Sequence, residues 1–285
     1  MFFRLLMFPA LFVLLSATVE TGGPIRVMTS VMTYNIHLEN CKESHRPWEE
    51  RKAMVAQIIH SRAPEILGLQ GATLGQTDWL NASLKDYEYY APAHNSLEMG
   101  VDLCPILYSR NSFESVGQGT YLVGEAVSKI EAKPEKNTSQ FLNWVKLKHR
   151  SSQKEIYVFN TRIHLNPSST NHRAIVQRME DYITELVQDE TFIFLADMAQ
   201  GPESEAIKGI GQWANDSESN SLVSISDKEV TNPGWKKFRK EEGHRTDYIF
   251  LSFDIPANSY EVLDVAQEGE YPSDHLPVFC RLRIQ

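Results

Sequence analysis

Ser273-Asp274-His275-Leu276-Pro277, followed by the strand-like run Val278–Ile284, sets an acid and an imidazole immediately ahead of a strand near the end of the chain. Alone, such a pair is a turn into the last strand. The same arrangement recurs, however, at Tyr34-Asn35-Ile36, Leu69-Gln70-Gly71, Asn160-Thr161-Arg162-Ile163-His164, Ala196-Asp197-Met198-Ala199 and Arg245-Thr246-Asp247-Tyr248. Strand propensity does not explain acids, amides and imidazoles placed repeatedly at strand ends. Several strand ends delivering polar groups to one rim is how a sandwich or barrel assembles a site.

The strand-like runs are Val27–Ile36, Glu65–Gln70, Tyr87–Ala91, Cys104–Tyr108, Phe141–His149, Glu155–His164, Thr191–Asp197, Thr246–Ser252 and Val278–Ile284, rich in Val, Ile, Tyr and Phe. Between them, Pro47-Trp48-Glu49-Glu50 opens a helical pattern that runs to Pro64, with proline and acids in its first turn. A second pattern spans about His172 to Val187, where Ile175, Met179, Ile183 and Leu186 recur at helical spacing. A weaker third runs from near Glu203 to near Trp213. Many strands with few helices predict an α/β or α+β sandwich of two packed mixed sheets flanked by helices. The short gaps between several strands favour antiparallel pairing over a fully parallel sheet. No linker, repeat or low-complexity tract divides residues 25–285, which read as one domain.

Composition narrows the function classes. The 285 residues carry 28 Lys+Arg against 37 Asp+Glu, a formal charge of −9, which argues against holding nucleic acid or an anionic membrane by bulk attraction. Three cysteines, Cys41, Cys104 and Cys280, are too few for a stapled scaffold and form no zinc-type pair, although one disulfide with one free thiol remains open. Met1 to Glu20 reads as a signal peptide. Arg4 supplies its positive start, and the apolar run Leu5–Leu15 is shorter than the roughly 20 residues of a membrane span. The mature chain is therefore expected to be secreted or periplasmic, with no membrane-spanning segment. The triplets at Asn81, Asn137 and Asn215 are glycosylation acceptors only if the source is eukaryotic.

In order and spacing, Met32-Thr33-Tyr34-Asn35-Ile36, Trp48 to Lys52, Pro64 to Gln70, Pro105-Ile106-Leu107-Tyr108, Asn160-Thr161, Arg245 to Phe250 and Tyr271 to His275 resemble the endonuclease/exonuclease/phosphatase family. That family includes DNase I-like nucleases, neutral sphingomyelinases and inositol polyphosphate phosphatases. The resemblance implies a DNase I-like sandwich with its catalytic rim at one end, and a divalent cation, Mg2+ or Mn2+, if the chain is active.

It also implies roles. Asn35 and Asp274 fall at metal-region positions, Asp197 at the acid that handles the attacking water, and Asp247 and His275 at the acid and imidazole of the closing motifs. Three positions depart from the pattern. The family's Leu-Gln-Glu reads Leu69-Gln70-Gly71, its Gly-Asp-Phe-Asn reads Ala196-Asp197-Met198-Ala199, and its Asn-Thr-His reads Asn160-Thr161-Arg162. Gly71 removes a carboxylate that hard cations favour, and Ala199 removes a donor whose loss typically costs roughly 10²–10³ in rate. His164 shares a strand face with Arg162, about 6.6 Å further along, and is a candidate replacement for the missing imidazole. Arg162 is either an exposed strand residue or a guanidinium that neutralises the rim acids and grips an anion without metal. Asp102 is a candidate rim residue. The expected function is a phosphoesterase-fold protein with a depleted metal site and weak or lost catalysis. The alternative is a metal-dependent hydrolase with rearranged ligands. The ligand class, whether a phosphate-containing small molecule, a lipid headgroup or a nucleic acid, is not readable from these motifs.

Overall fold

The structure is a computed structural model that describes residues 27–39, 46–92, 101–123, 141–163, 172–226, 230–235, 243–267 and 269–284. The expected leader Met1–Glu20, Cys41, Asn137, His164 and the basic segment Lys236–Lys240 lie outside the described residues. In chain order the elements are β1 (Val27–Asn35), α1 (Trp48–Arg62), β2 (Ile66–Gln70), α2 (Leu74–Ser83), β3 (Tyr87–Tyr90), β4 (Ile106–Ser109), β5 (Phe113–Leu122), β6 (Phe141–His149), β7 (Glu155–Arg162) and α3 (His172–Val187). There follow β8 (Phe192–Asp197), α4 (Glu205–Ile210), β9 (Asn215–Asp216), β10 (Ser221–Ser224), β11 (Asp247–Leu251), β12 (Ala257–Val262) and β13 (Val278–Ile284).

One sheet runs β10-β12-β13-β1-β2-β4-β3 and the other β5-β6-β7-β8-β11-β9. Both are mixed, with β1 parallel to β2, β7 parallel to β8, and most other neighbours antiparallel. The expected two-sheet sandwich with flanking helices is what forms. The elements not anticipated from the sequence are α2 and the strands β5, β9, β10 and β12.

Strand alternation explains the layers. In β8, Phe192, Phe194 and Ala196 point outward and pack with Met179 and Ile183 of α3 and with Ile207 and Ile210 of α4. Ile193 and Leu195 point inward against Val31, Ile66 and Val278 of the facing sheet. On the other flank, Met32 and Tyr34 of β1 and Leu67 and Leu69 of β2 meet Val55, Ile58 and Ile59 of α1 and Leu80 of α2. Thus the inward rows are apolar along most of their length. At one end each turns polar: Val31 leads to Asn35, Ile66 to Gln70, Val158 to Asn160 and Arg162, and Leu195 to Asp197, while Asp247 starts the row of Ile249. Register brings these ends level, with Asn35 opposite Gln70, Arg162 opposite Asp197, and Asp197 opposite Asp247.

Candidate active site

The rim so formed is largely buried, and most of its polar groups are hydrogen-bonded. Asn35 donates from Nδ2 to Asp197 Oδ2 at 2.8 Å, and its Oδ1 accepts from the His37 backbone N–H at 2.9 Å. Asp197 Oδ1 accepts from the Ala199 N–H at 3.1 Å. His275 Nδ1 lies 2.8 Å from Asp247 Oδ2, which also accepts from the Thr231 hydroxyl at 2.6 Å and the Thr246 hydroxyl at 3.0 Å. Asp274 Oδ1 lies 3.0 Å from His37 Nδ1. Beneath the rim, Gln70 donates to Asn160 Oδ1 at 2.6 Å, and Asn160 donates to the Leu69 and Pro105 carbonyls at 2.8 and 2.9 Å.

Helix α1 holds these loops in place through Arg51. Its buried guanidinium donates to the carbonyls of Ile36, His37 and Pro272, joining the exit of β1 to the segment that carries Ser273, Asp274 and His275. Ser273 adds a hydroxyl bond to the Asn35 carbonyl at 2.7 Å. The Trp48 to Lys52 piece of the sequence resemblance therefore acts on the rim from a distance.

Arg162 is not an exposed strand residue. Its side chain is 12% exposed, with Nε 3.2 Å from Asp197 Oδ2 and Nη1 3.5 Å from Asp102 Oδ2. Asp102 is fully buried and accepts the N–H groups of Gly71 at 2.7 Å, Ala72 at 3.2 Å and Cys104 at 3.1 Å. Burial works against the Arg162 charge, but Asp197 and Asp102 outweigh it and keep the guanidinium protonated.

His275 is pulled two ways. Burial disfavours its charge, while Asp247, Asp197 and Asp274 together push its pKa up to about 9. Against this, the Nδ2 groups of Asn35 and Asn232 lie 3.3 and 3.1 Å from Nε2, an arrangement that favours a lone pair there. Three carboxylates outweigh two amide dipoles, although the Gly234 N–H, 3.2 Å from Asn232 Oδ1, keeps the Asn232 NH2 turned toward the ring. Burial also holds Asp247 above its ordinary range against the pull of His275. For Asp274, burial opposes ionisation, but His275 and His37 overcome it and hold the carboxyl well below its usual range.

The structure thus brings together Asn35, Asp197, Asp247, Asp274, His275 and Arg162, adds Asp102, and leaves His164 outside the described residues. Sequence reasoning missed His37 and Asn232. His37 lies two residues after Asn35, and its partner is the flagged Asp274. Asn232 comes from a loop with no periodic pattern and carried no signal. Cys104 and Cys280 are both buried.

No family model matches the sequence, and no curated protein matches it either. Solved structures do. The endonuclease/exonuclease/phosphatase from Bacteroides vulgatus is similar with a TM-score of 0.79 at 21% identity, covering 91% of this chain and 100% of that one. The chain has the endonuclease/exonuclease/phosphatase fold. Among others with this DNase I-like fold, the mannosyl-6-phosphatase of Bacteroides thetaiotaomicron matches with a TM-score of 0.75 at 20% identity over 89% of this chain and 99% of that one. The human Nocturnin catalytic domain with bound sulfate matches with a TM-score of 0.66 at 20% identity over 90% and 96%. At these identities the likeness is one of fold.

Enzymes of the endonuclease/exonuclease/phosphatase fold generally depend on a divalent cation, and Asp197, Asp247 and His275 offer donor atoms within 4.8 Å of one another. As they stand, these residues do not fit such an ion. Asp197 Oδ2 already takes bonds from Arg162 and Asn35, and His275 Nδ1 is committed to Asp247. At Gly71 the backbone is left-handed, with φ +59°, and a Cβ would stand 2.4 Å from Asn35 Oδ1 and 2.9 Å from the His37 nitrogen. The space through which a glutamate would reach the rim is filled. Among the described residues, no helix is long and apolar enough to cross a membrane.

Proposed function

We propose that this chain is a phosphoesterase-fold protein that binds a phosphate-bearing ligand at the rim and hydrolyses it weakly or not at all. The observation that carries this reading is the Arg162 guanidinium lying on Asp197, the acid whose position the resemblance links to the attacking water. An acid held this way is poorly placed to orient a nucleophile. Arg162 Nη2 has no partner among the described residues, so the fork keeps a donor for an anion. Gly71 and Ala199 withdraw a carboxylate and an amide from the same side of the rim. A phosphatase and a sulfate-bound catalytic domain among the structural relatives support phosphate as the ligand chemistry. Export through the Met1–Glu20 leader belongs to the same proposal, and the N-terminal sequence of the mature protein tests it.

A second reading, a phosphodiester or phosphomonoester hydrolase using Mg2+ or Mn2+ with rearranged ligands, is favoured by the Asp197, Asp247 and His275 cluster. Two assays separate the readings. Turnover of an aryl phosphomonoester and an aryl phosphodiester is measured with Mg2+, Mn2+ or Ca2+ and again in EDTA, and inorganic phosphate is titrated in a thermal melt. The proposal expects stabilisation by phosphate in EDTA and turnover near background throughout. Metal-dependent turnover that disappears in His275→Ala establishes the second reading instead.

A further inference from the structure

We infer that the Arg162 guanidinium serves as an internal counterion in place of a divalent cation, and that removing its charge opens a cation site bounded by Asp197, Asp247 and His275. The inference rests on the reading of the rim as metal-depleted, but it concerns the metal alone and is tested without a phosphate ligand.

The argument begins with charge. Asp197 and Asp247 face each other in register on β8 and β11, both buried, and two such carboxylates at one place require positive charge nearby. His275 meets Asp247. Asp197 is met from the next strand, because Arg162 stands opposite it in the β7–β8 register and turns Nε onto Oδ2 at 3.2 Å. The same guanidinium reaches Asp102, a second buried acid, at 3.5 Å.

An ion bound to Asp197 Oδ2 would have to displace this guanidinium or lie beside it. Displacement costs a buried cation its closer carboxylate and leaves it Asp102 alone, and coexistence places like charges in contact. Either route is costly. Geometry closes the other side, since the Asn35 amide occupies the place next to Gly71 where a family glutamate would enter. Substitution at Arg162 and substitution at Gly71 are therefore two parts of one change. The site has exchanged an external cation for one that is covalently attached.

Electrostatics sets a lower bound on the effect. Even at the dielectric of water, one unit charge about 4 Å from a divalent ion alters ion affinity roughly 30-fold, and the lower effective dielectric of a protein interior raises that figure, so a gain of about 100-fold is a conservative expectation. The test titrates Mn2+ alone into full-length protein, reading free Mn2+ by electron paramagnetic resonance and heat by calorimetry. Unmodified protein is expected to bind Mn2+ weakly and without fixed stoichiometry. Arg162→Gln is expected to bind one Mn2+ about 100-fold more tightly and to lose it when Asp197→Asn is added. Arg162→Lys, which keeps the charge, is expected to behave as the unmodified protein. Should Arg162→Gln fail to fold by circular dichroism, Arg162→Met, which removes the charge and keeps an apolar stem, is read in its place with the same expected gain. Tight stoichiometric Mn2+ binding by unmodified protein overturns the inference, as does absence of any gain in the folded variant. Phosphate binding in EDTA is a separate readout, so failure of the proposed ligand chemistry and failure of this inference are distinguishable.

Discussion

The two halves of the rim have been treated differently. On the β11 and β13 side, Asp247, Asp274 and His275 keep the residue types of the DNase I-like pattern and are enclosed by hydroxyl, amide and imidazole partners. On the β2, β7 and β8 side, Gly71, Arg162 and Ala199 stand where the resemblance implies a carboxylate, an imidazole and an amide, and a guanidinium lies on the acids. On the proposed reading, one half still has what it needs to hold a proton, while the other is no longer built to hold an ion. A fold can therefore retain half of a site as structure after the chemistry of the other half has changed, because each buried acid must still find a partner.

Substitutions on the two sides should separate these roles. The largest effect is expected from Asp247→Ala, which leaves the His275 ring buried without its carboxylate and costs about 3–5 kcal/mol in urea unfolding. A loss below about 1 kcal/mol would mean that the retained half is not held by this pair. Next is pH. Because the His275 pKa is raised from its ordinary 6.5 to about 9, its contribution to stability is fully present below about pH 6.5 and is lost as pH rises through 9. The loss over that window is about 3 kcal/mol. Unfolding free energies at pH 6 and pH 9.5 should show it in the unmodified protein but not in His275→Gln.

The altered half is probed through its backbone. Gly71→Ala forces a side chain into a left-handed conformation against Asn35 and is expected to cost about 2 kcal/mol in the same unfolding assay. Ala199 is the opposite case. It holds φ +49°, a conformation that asparagine tolerates better than alanine, so Ala199→Asn should stabilise by about 0.5–1 kcal/mol. If it destabilises instead, the family's amide has no room on this side, and the two halves differ by more than residue type.

How much of this was legible before the structure depends on what each element buries. Strands β1, β2, β6, β7, β8, β11 and β13 were readable because they supply the apolar rows of a two-sided sandwich. Strand β5 was not, because it lies at a sheet edge with most of its residues half-exposed or exposed, so serine, glutamate and glycine interrupt its apolar pattern. Strands β10 and β12 have the same weakness near the opposite edge of the other sheet. Helix α2 did have a signal that was passed over. Thr73 caps it and Gln76 returns the bond, a capping box visible as threonine followed three residues later by glutamine.

At the site, Asn35, Asp197, Asp247, Asp274 and His275 were legible because strand-end position and family order agreed. Arg162 was legible as a departure, but its partner Asp102 comes from a loop distant in sequence, and only the fold brings the two within 3.5 Å. His37 was missed because its partner, Asp274, lies far along the chain and only the fold brings them to 3.0 Å.

Anomalous diffraction from a crystal soaked in Mn2+ and phosphate tests the central claim most directly. The account predicts phosphate near Arg162, no manganese peak on Asp197, and an Arg162–Asp197 contact that survives the soak. A manganese peak bonded to Asp197 and His275, with the Arg162 side chain swung away, would contradict it.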